Sequence, residues 1–154
     1  MFDVSIGRLI STIFLSGIIA TTGITLFLFV FSRKFANVDI VRVLGSYITK
    51  SDENAFRVGI ILHYVWGILF ALVYTLILGF IDPPKNLNIL LISSLTGVFH
   101  GIVASFMMII FVAEHHPLEK YRRKGLASAA IYLIAHIIYG LLVGVTITGM
   151  VYPG

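Results

Sequence analysis

Hydrophobic residues in this chain fall into four long runs that are separated by shorter polar stretches. A helix needs about 20 apolar residues to cross the hydrocarbon core of a bilayer. Four runs meet this length, at about residues 6–31, 58–80, 87–112 and 126–150. Because backbone groups in lipid must pair within their own segment, each run is predicted to be helical. The pattern therefore predicts an all-α fold, an integral membrane four-helix bundle.

The connections between the runs have patterns of their own. Apolar residues at three- and four-residue spacing predict a short amphipathic helix lying at the membrane interface between spans one and two: Val38, Val41, Leu44, Tyr47 and Ile48. Ser51 or Asp52 is predicted to cap the second span. Two prolines at 83–84 predict a tight turn between spans two and three. Pro117 is predicted to end span three, and Gly125 to break the chain before span four.

Composition supports a membrane protein and excludes several other classes. The chain is 58% hydrophobic and 12% charged, whereas about a quarter of the residues in a soluble domain are charged. No charged segment is long enough for a second domain, so residues 1–154 are predicted to form one four-span unit. The absence of cysteine excludes disulfides and thiolate metal sites. The net charge of +4 resides in loops beside apolar runs, which indicates membrane topology rather than a nucleic-acid partner.

The basic residues predict the orientation of the chain in the cell (inner) membrane. Nine of the eleven Lys and Arg residues lie in the loops after spans one and three: Arg33, Lys34, Arg42, Lys50, Arg57, Lys120, Arg122, Arg123 and Lys124. Only Arg8 and Lys85 lie on the other side. Cytoplasmic loops are enriched in Lys and Arg. The distribution therefore predicts that both termini face away from the cytoplasm.

Small residues predict where the spans touch. Helices in lipid associate through small side chains that let their backbones approach closely. The glycines that we expect at such contacts are Gly67, Gly97, Gly101, Gly140 and Gly144. The pair Gly140 and Gly144 suits a contact inside the monomer, with a homodimer contact as the alternative.

Three histidines lie inside the apolar runs. His63 and His136 share the pattern His-x-x-aromatic-Gly in spans two and four, which suggests an old duplication of a two-helix unit. By helical rise, His100 and His136 lie at similar depths on predicted antiparallel neighbours, so we expect them to approach each other. An ionisable side chain at this depth is costly and needs a partner.

Three interpretations of these histidines remain open at the level of sequence. Neutral histidines can fix helix packing through hydrogen bonds. His100 and His136, with His63 as a further candidate, can ligate haem b or a divalent metal. A proton or quinone path through His63 and His136 is the third interpretation.

Outside the spans, His115 and His116 are weak candidate ligands for a divalent metal, because carboxylates flank them. Neighbouring residues do not share a helical face, so the pair cannot chelate from a regular helix. All carboxylates lie outside the predicted spans, and no catalytic triad, phosphate loop or nucleophilic cysteine is recognised. We therefore expect no catalytic activity of the chain's own.

Several short motifs together resemble a family of small four-span prokaryotic membrane proteins of unknown function. They are Leu44-Gly45-Ser46, His63 with Gly67 and Tyr74, His100-Gly101, His116-Pro117 and Ala135-His136-x-x-Tyr139-Gly140. The resemblance covers about residues 41–144. It implies the four-span fold and brings no known reaction.

The resulting functional hypothesis is an accessory subunit of a larger membrane assembly, for example a respiratory or electron-transfer complex. The alternative is a haem- or metal-binding carrier that uses its intramembrane histidines. The expected partners are the lipid bilayer and either other membrane subunits or further copies of the chain.

Overall fold

The computed structural model describes residues 4–31, 39–82, 86–122 and 126–151. The described elements are all helical: α1 (Ile6–Phe31), α2 (Ile40–Thr49), α3 (Ala55–Ile81), α4 (Asn86–Phe106), a π-helical segment (Met107–Val112), the short α5 (Ala113–His115), a 3₁₀ turn (Glu119–Tyr121) and α6 (Leu126–Val151). Several residues used in the sequence predictions lie outside the described ones: Arg33, Lys34, Val38, Pro83, Pro84, Lys85, Arg123, Lys124 and Gly125.

Four of these helices are long and apolar enough to cross a membrane, namely α1, α3, α6 and the segment Leu87–Ile110. Their bounds agree closely with the predicted spans. Each has polar or turn-forming residues beyond its ends and a predominantly apolar stretch between them. The predicted all-α four-helix bundle is confirmed, and the chain is a small multi-pass membrane protein.

The four spans pack unevenly around their common core. Helices α4 and α6 make the most extensive contact, α1 packs against both α3 and α6, and α3 touches α4 only sparingly. The core is apolar, with Ala20, Leu78, Ile89, Val143 and Ile147 among its buried members. The sparse contact between α3 and α4 leaves space at the middle of the bundle.

Glycines permit the close approach of α4 and α6. A Cβ atom added to Gly97 would lie 2.6 Å from the carbonyl oxygen of His136, and one added to Gly140 would overlap the carbonyl oxygen of Ser93. Only glycine leaves room for these backbones. The other glycines expected at contacts also lie against a neighbouring helix: Gly101 against Leu133, Gly144 against Ser93 and Gly67 against Thr21. The contact of Gly140 and Gly144 thus lies inside the monomer.

The predicted cap of the second span is wrong. Helix α3 begins at Ala55, and its N-cap residue is Asn54, whose side chain makes no capping hydrogen bond. The carboxylate of Asp52 instead accepts hydrogen bonds from Lys120 and from the Tyr121 hydroxyl, the latter at 3.0 Å. The hydrogen bond from Lys120 lowers the pKa of Asp52. Asp52 therefore joins two loops rather than starting a helix.

Helix α2 forms as predicted and packs closely against α3. Asp39 caps it by accepting a hydrogen bond from the Arg42 amide at 3.2 Å. Its buried residues are Val41, Val43, Gly45 and Ser46, whereas Ile48, which was assigned to the apolar face, is 61% exposed. The reason is that Gly45 and Gly59 let α2 and α3 meet backbone to backbone. The sequence pattern marked neither glycine as a contact.

The π-helical segment after α4 was not predicted. An extra residue in a helical turn changes which side chains face inward, and such segments occur frequently at functional sites. It ends in α5, and His116 then adopts an extended conformation before Pro117. That conformation is the one that proline imposes on its predecessor.

Candidate functional site

The three intramembrane histidines come from three different helices and lie at similar depths. His63 is eight residues after the start of α3 and His136 is ten residues after the start of α6, which places them about 12 and 15 Å along their helices. His100 lies twelve residues before the end of the π-helical segment. All three line one cavity between the spans.

His100 and His136 touch each other, in agreement with the expected approach. Their ring centroids are 4.4 Å apart and their planes are inclined by 66°. On its other sides, His100 packs on the Phe70 ring at 3.9 Å and has its Nδ1 atom 3.4 Å from the Tyr74 hydroxyl. Aromatic side chains therefore hold this imidazole in a fixed orientation.

The protonation pattern of His136 follows from its hydrogen bond. Its Nδ1 atom lies 2.6 Å from the carbonyl oxygen of Tyr132, one turn earlier in α6. A carbonyl oxygen can only accept, so Nδ1 must be the protonated nitrogen. The Nε2 atom of the neutral ring is then left as an acceptor.

Two residues that line the cavity each have a buried polar atom without a partner. Among the described residues, neither Nε2 of His63 nor Oγ1 of Thr21 makes a hydrogen bond, although both atoms are buried. A buried polar group left unpaired costs about 1–3 kcal/mol. Both residues line the histidine cavity. The arrangement is therefore incomplete unless something in the cavity bonds to them.

The cavity is small and bounded by aromatic and aliphatic side chains. Its volume is about 70 Å³, and its lining comprises Thr21, Ile24, His63, Trp66, Gly67, Phe70, His100, His136 and Tyr139. A site needs roughly 10–15 Å³ of such volume to hold one water. The cavity therefore admits a few water-sized groups, and several of the residues around it carry hydrogen-bonding side chains. We refer to it as the histidine cavity.

Tyr139 closes the cavity by linking two spans. Its hydroxyl donates a hydrogen bond to the carbonyl oxygen of Gly67. The His-x-x-aromatic-Gly motif of α6 therefore contacts the same motif of α3. Gly67 in turn lies against Thr21 and Gly140 against Ser93, each on the preceding span of its own half. This arrangement agrees with a duplicated two-helix unit, which stays a prediction.

A haem does not fit between His100 and His136 in this arrangement. Ligation at roughly 2 Å per bond from opposite sides of the iron puts the two ring nitrogens about 4 Å apart, and each ring then extends away from the other. The observed rings instead contact each other directly with centroids 4.4 Å apart. A cavity of about 150 Å³ holds one benzene, and the histidine cavity, at about 70 Å³, is far too small for a porphyrin.

Within the described part of the chain, no three His, Cys, Asp or Glu side chains lie close enough together to hold a metal ion. Only the three histidines contribute metal-binding nitrogens to the cavity walls. Their use as candidate metal ligands is thus not supported by their placement.

His116 has a structural position that the metal hypothesis did not anticipate. It is fully buried, its Nε2 atom donates to the Val43 carbonyl oxygen at 3.1 Å, and its Nδ1 atom accepts from the Leu118 amide at 3.0 Å. Both ring nitrogens are occupied, so neither is left to bind a metal. His115 lies on the exposed side. The pair therefore diverges, and His116 joins the loop after α5 to helix α2.

Sequence reasoning missed the contribution of α1 to the site. Thr21 was not singled out from the sequence, and Tyr74 was named only as part of a resemblance. A possible signal was the Thr21-Thr22 pair in the middle of an apolar run, because polar side chains at that depth usually face another helix. Thr22 does so, with its hydroxyl 2.9 Å from that of Tyr64.

Comparisons with known proteins assign no family to the chain. A scan against models of known families, a search of curated proteins and a search of solved structures each found no match.

Proposed function

We propose that this membrane protein binds a membrane-soluble, hydrogen-bonding ligand in the histidine cavity. The observation that carries the proposal is a pair of buried, unpartnered atoms, Nε2 of His63 and Oγ1 of Thr21, which belong to two residues that line one cavity. Natural proteins rarely leave such groups unpaired. A ligand that bonds to both atoms removes the cost.

The surroundings of the cavity support a ligand that arrives through the bilayer. Helix α3 packs only sparingly against α4, and Trp66, which lines the cavity on this helix, is 52% exposed. An indole at this depth faces lipid rather than water. Entry is therefore from the hydrocarbon, which selects molecules that dissolve in it.

The proposal is tested by organic extraction of the protein purified from its host membranes. Thr21→Val keeps the shape of the side chain and removes the hydroxyl. Thr148→Val is the matched control, because Oγ1 of Thr148 is also buried and unpartnered but does not line the cavity. We expect mass spectrometry to find a lipid-soluble species with the wild type and the control and to find it depleted in Thr21→Val. Identical extracts from all three proteins would refute the proposal.

The change in stability caused by Thr21→Val gives an independent test, because its sign depends on whether a ligand is bound. If the hydroxyl of Thr21 has no partner in the purified protein, Thr21→Val is neutral or stabilising, because an isosteric apolar group replaces an unsatisfied polar one. Bound ligand reverses this sign, so Thr21→Val should lower the unfolding midpoint of ligand-loaded protein. The haem alternative predicts a Soret band in the purified protein, whereas the direct contact of the two histidines leads us to expect none.

The interpretation as an accessory subunit is a second proposal, and outward-facing small residues favour it. A Cβ atom added to Gly7 or Gly149 would meet no atom within 4 Å, and open glycines of this kind allow another helix to approach. Purification in mild detergent should then recover co-migrating membrane subunits, or a homo-oligomer, that Gly7→Leu and Gly149→Leu release. A monomer that brings no partner from its native membrane would contradict this proposal.

A further inference from the structure

A second cavity lies directly beside the first and has a very different lining. It is an apolar groove of about 400 Å³ between α2, α3 and the π-helical segment. Its lining consists of Ile40, Val43, Leu44, Tyr47, Trp66, Met107, Met108 and Val112. We refer to it as the methionine groove. The indole of Trp66 lines both this groove and the histidine cavity.

The two spaces together match an amphipathic ligand with a small polar head. The histidine cavity offers hydrogen-bonding atoms in a small volume, and the methionine groove offers apolar surface in a large one. Since Trp66 lines both, a molecule with its head in the cavity and its tail in the groove would lie against this residue. Met107 and Met108 suit a flexible tail, because unbranched thioether side chains adapt to irregular shapes.

Size restricts which part of the head enters the histidine cavity. A volume of about 150 Å³ accommodates one benzene ring, so the observed 70 Å³ admits a single carbonyl oxygen but no ring. That oxygen is an acceptor. The hydroxyl of Thr21 and the Nε2 atom of His63, when it is protonated in the neutral ring, are the donors that it meets.

The exposed indole of Trp66 provides a surface for a flat ring. Its ring lies 6.2 Å from that of Phe70, which itself packs on His100 at 3.9 Å, and both Trp66 and Phe70 line the histidine cavity. Planar rings favour offset or tilted contact with such faces. A ring held at the mouth therefore directs one carbonyl inward and its tail toward the methionine groove.

We propose that the ligand is of the quinone class: a carbonyl-bearing ring stacked on Trp66, one carbonyl oxygen bonded to Thr21 and His63, and an apolar tail in the methionine groove. This inference rests on the proposed function, because it names the ligand class of the same site. It concerns binding alone and assigns no redox step to the chain.

The test uses Trp66, which is the single tryptophan of the chain and therefore a built-in reporter. A decyl-tailed benzoquinone is titrated into purified protein in nanodiscs, and Trp66 fluorescence is followed. We expect saturable quenching in the wild type and in Thr148→Val. In Thr21→Val combined with His63→Leu, loss of two hydrogen bonds should weaken the apparent affinity about tenfold or more. Decylbenzene, which has the tail and ring without carbonyls, should not compete.

The possible outcomes separate this inference from the proposed function. Equal quenching curves for the cavity variant and the control, with unchanged circular dichroism, would overturn the quinone assignment, as would equal competition by decylbenzene. If organic extraction nevertheless yields another hydrogen-bonding lipid that Thr21→Val depletes, the cavity binds a ligand of a different class. If neither experiment distinguishes its cavity variant from Thr148→Val, both proposals fail.

Discussion

Replacing Gly140 by alanine tests the packing on which the site depends. The added Cβ atom would overlap the Ser93 carbonyl oxygen and come within 3.1 Å of the Gly97 Cα atom. Both obstacles are backbone, which cannot rotate away, so α4 and α6 must move apart. Overpacking of this kind costs about 1–3 kcal/mol. His100 and His136 lie on these two helices, and their ring contact should loosen with the separation.

Gly149→Ala, compared in protein purified free of partner subunits, provides the control for this prediction in the same helix. An added Cβ there meets nothing within 4 Å, while both substitutions share the gain in helix propensity of up to about 1 kcal/mol. The difference in the free energy of unfolding between the two variants therefore isolates the packing cost at Gly140, which we expect to be about 1–3 kcal/mol.

The assay is thermal unfolding in detergent, followed by circular dichroism and by the fraction of monodisperse protein. Each kcal/mol corresponds to roughly 2–4 °C in a chain of this size, so Gly140→Ala should unfold at clearly lower temperature than Gly149→Ala. Equal midpoints would refute the close approach of α4 and α6 at Gly140.

Three further predictions concern the loops and the orientation of the chain. Single cysteines at Ser51 and Asp82 should differ in intact cells, with only the Asp82→Cys protein labelled by an impermeant reagent; the reverse pattern would invert the topology. His116→Ala should cost about 1–3 kcal/mol because it breaks buried hydrogen bonds, whereas His115→Ala on the exposed side should stay within about 0.5 kcal/mol; equal effects on chemical unfolding would remove the structural role of His116. The pKa of Asp52 is lowered from its ordinary value of 3.8 by the hydrogen bond from its lysine partner, so its contribution to stability is present above that value and is lost as the pH falls through the folded-state pKa. Asp52→Asn should therefore reduce the loss of stability in this acidic window, and identical pH profiles of the unfolding midpoint would contradict the pairing.

The spans could be predicted from the sequence because lipid leaves the backbone few alternatives. A run of apolar residues in a bilayer must be helical over its whole length, and this explains why α1 and α6 match their predicted bounds within a residue. Helix ends in the loops are less constrained. Asn54 rather than Ser51 or Asp52 precedes α3 because Asp52 is held by the loop after α5, a partner 68 residues away.

The site was only partly predictable, because the sequence gives the depth of a residue in the membrane but not the direction in which its side chain points. Helical rise gives the depth of a residue, and depth was enough to bring His100 and His136 together. Rotation about the helix axis depends on the contacts between spans, and these are set by close backbone approaches such as that of Gly67 to Thr21. Depth alone could therefore not identify Thr21 as a wall of the cavity. Nor could the sequence place Trp66 between a polar and an apolar space.

An experimental structure of the protein purified from native membranes in mild detergent tests the central claim most directly. The account predicts non-protein density in the histidine cavity, within hydrogen-bond distance of both Nε2 of His63 and Oγ1 of Thr21. The density should extend past Trp66 toward the methionine groove. A cavity closed by the side chains themselves, with His63 and Thr21 bonded to protein groups, would contradict the account and leave the three histidines as packing residues.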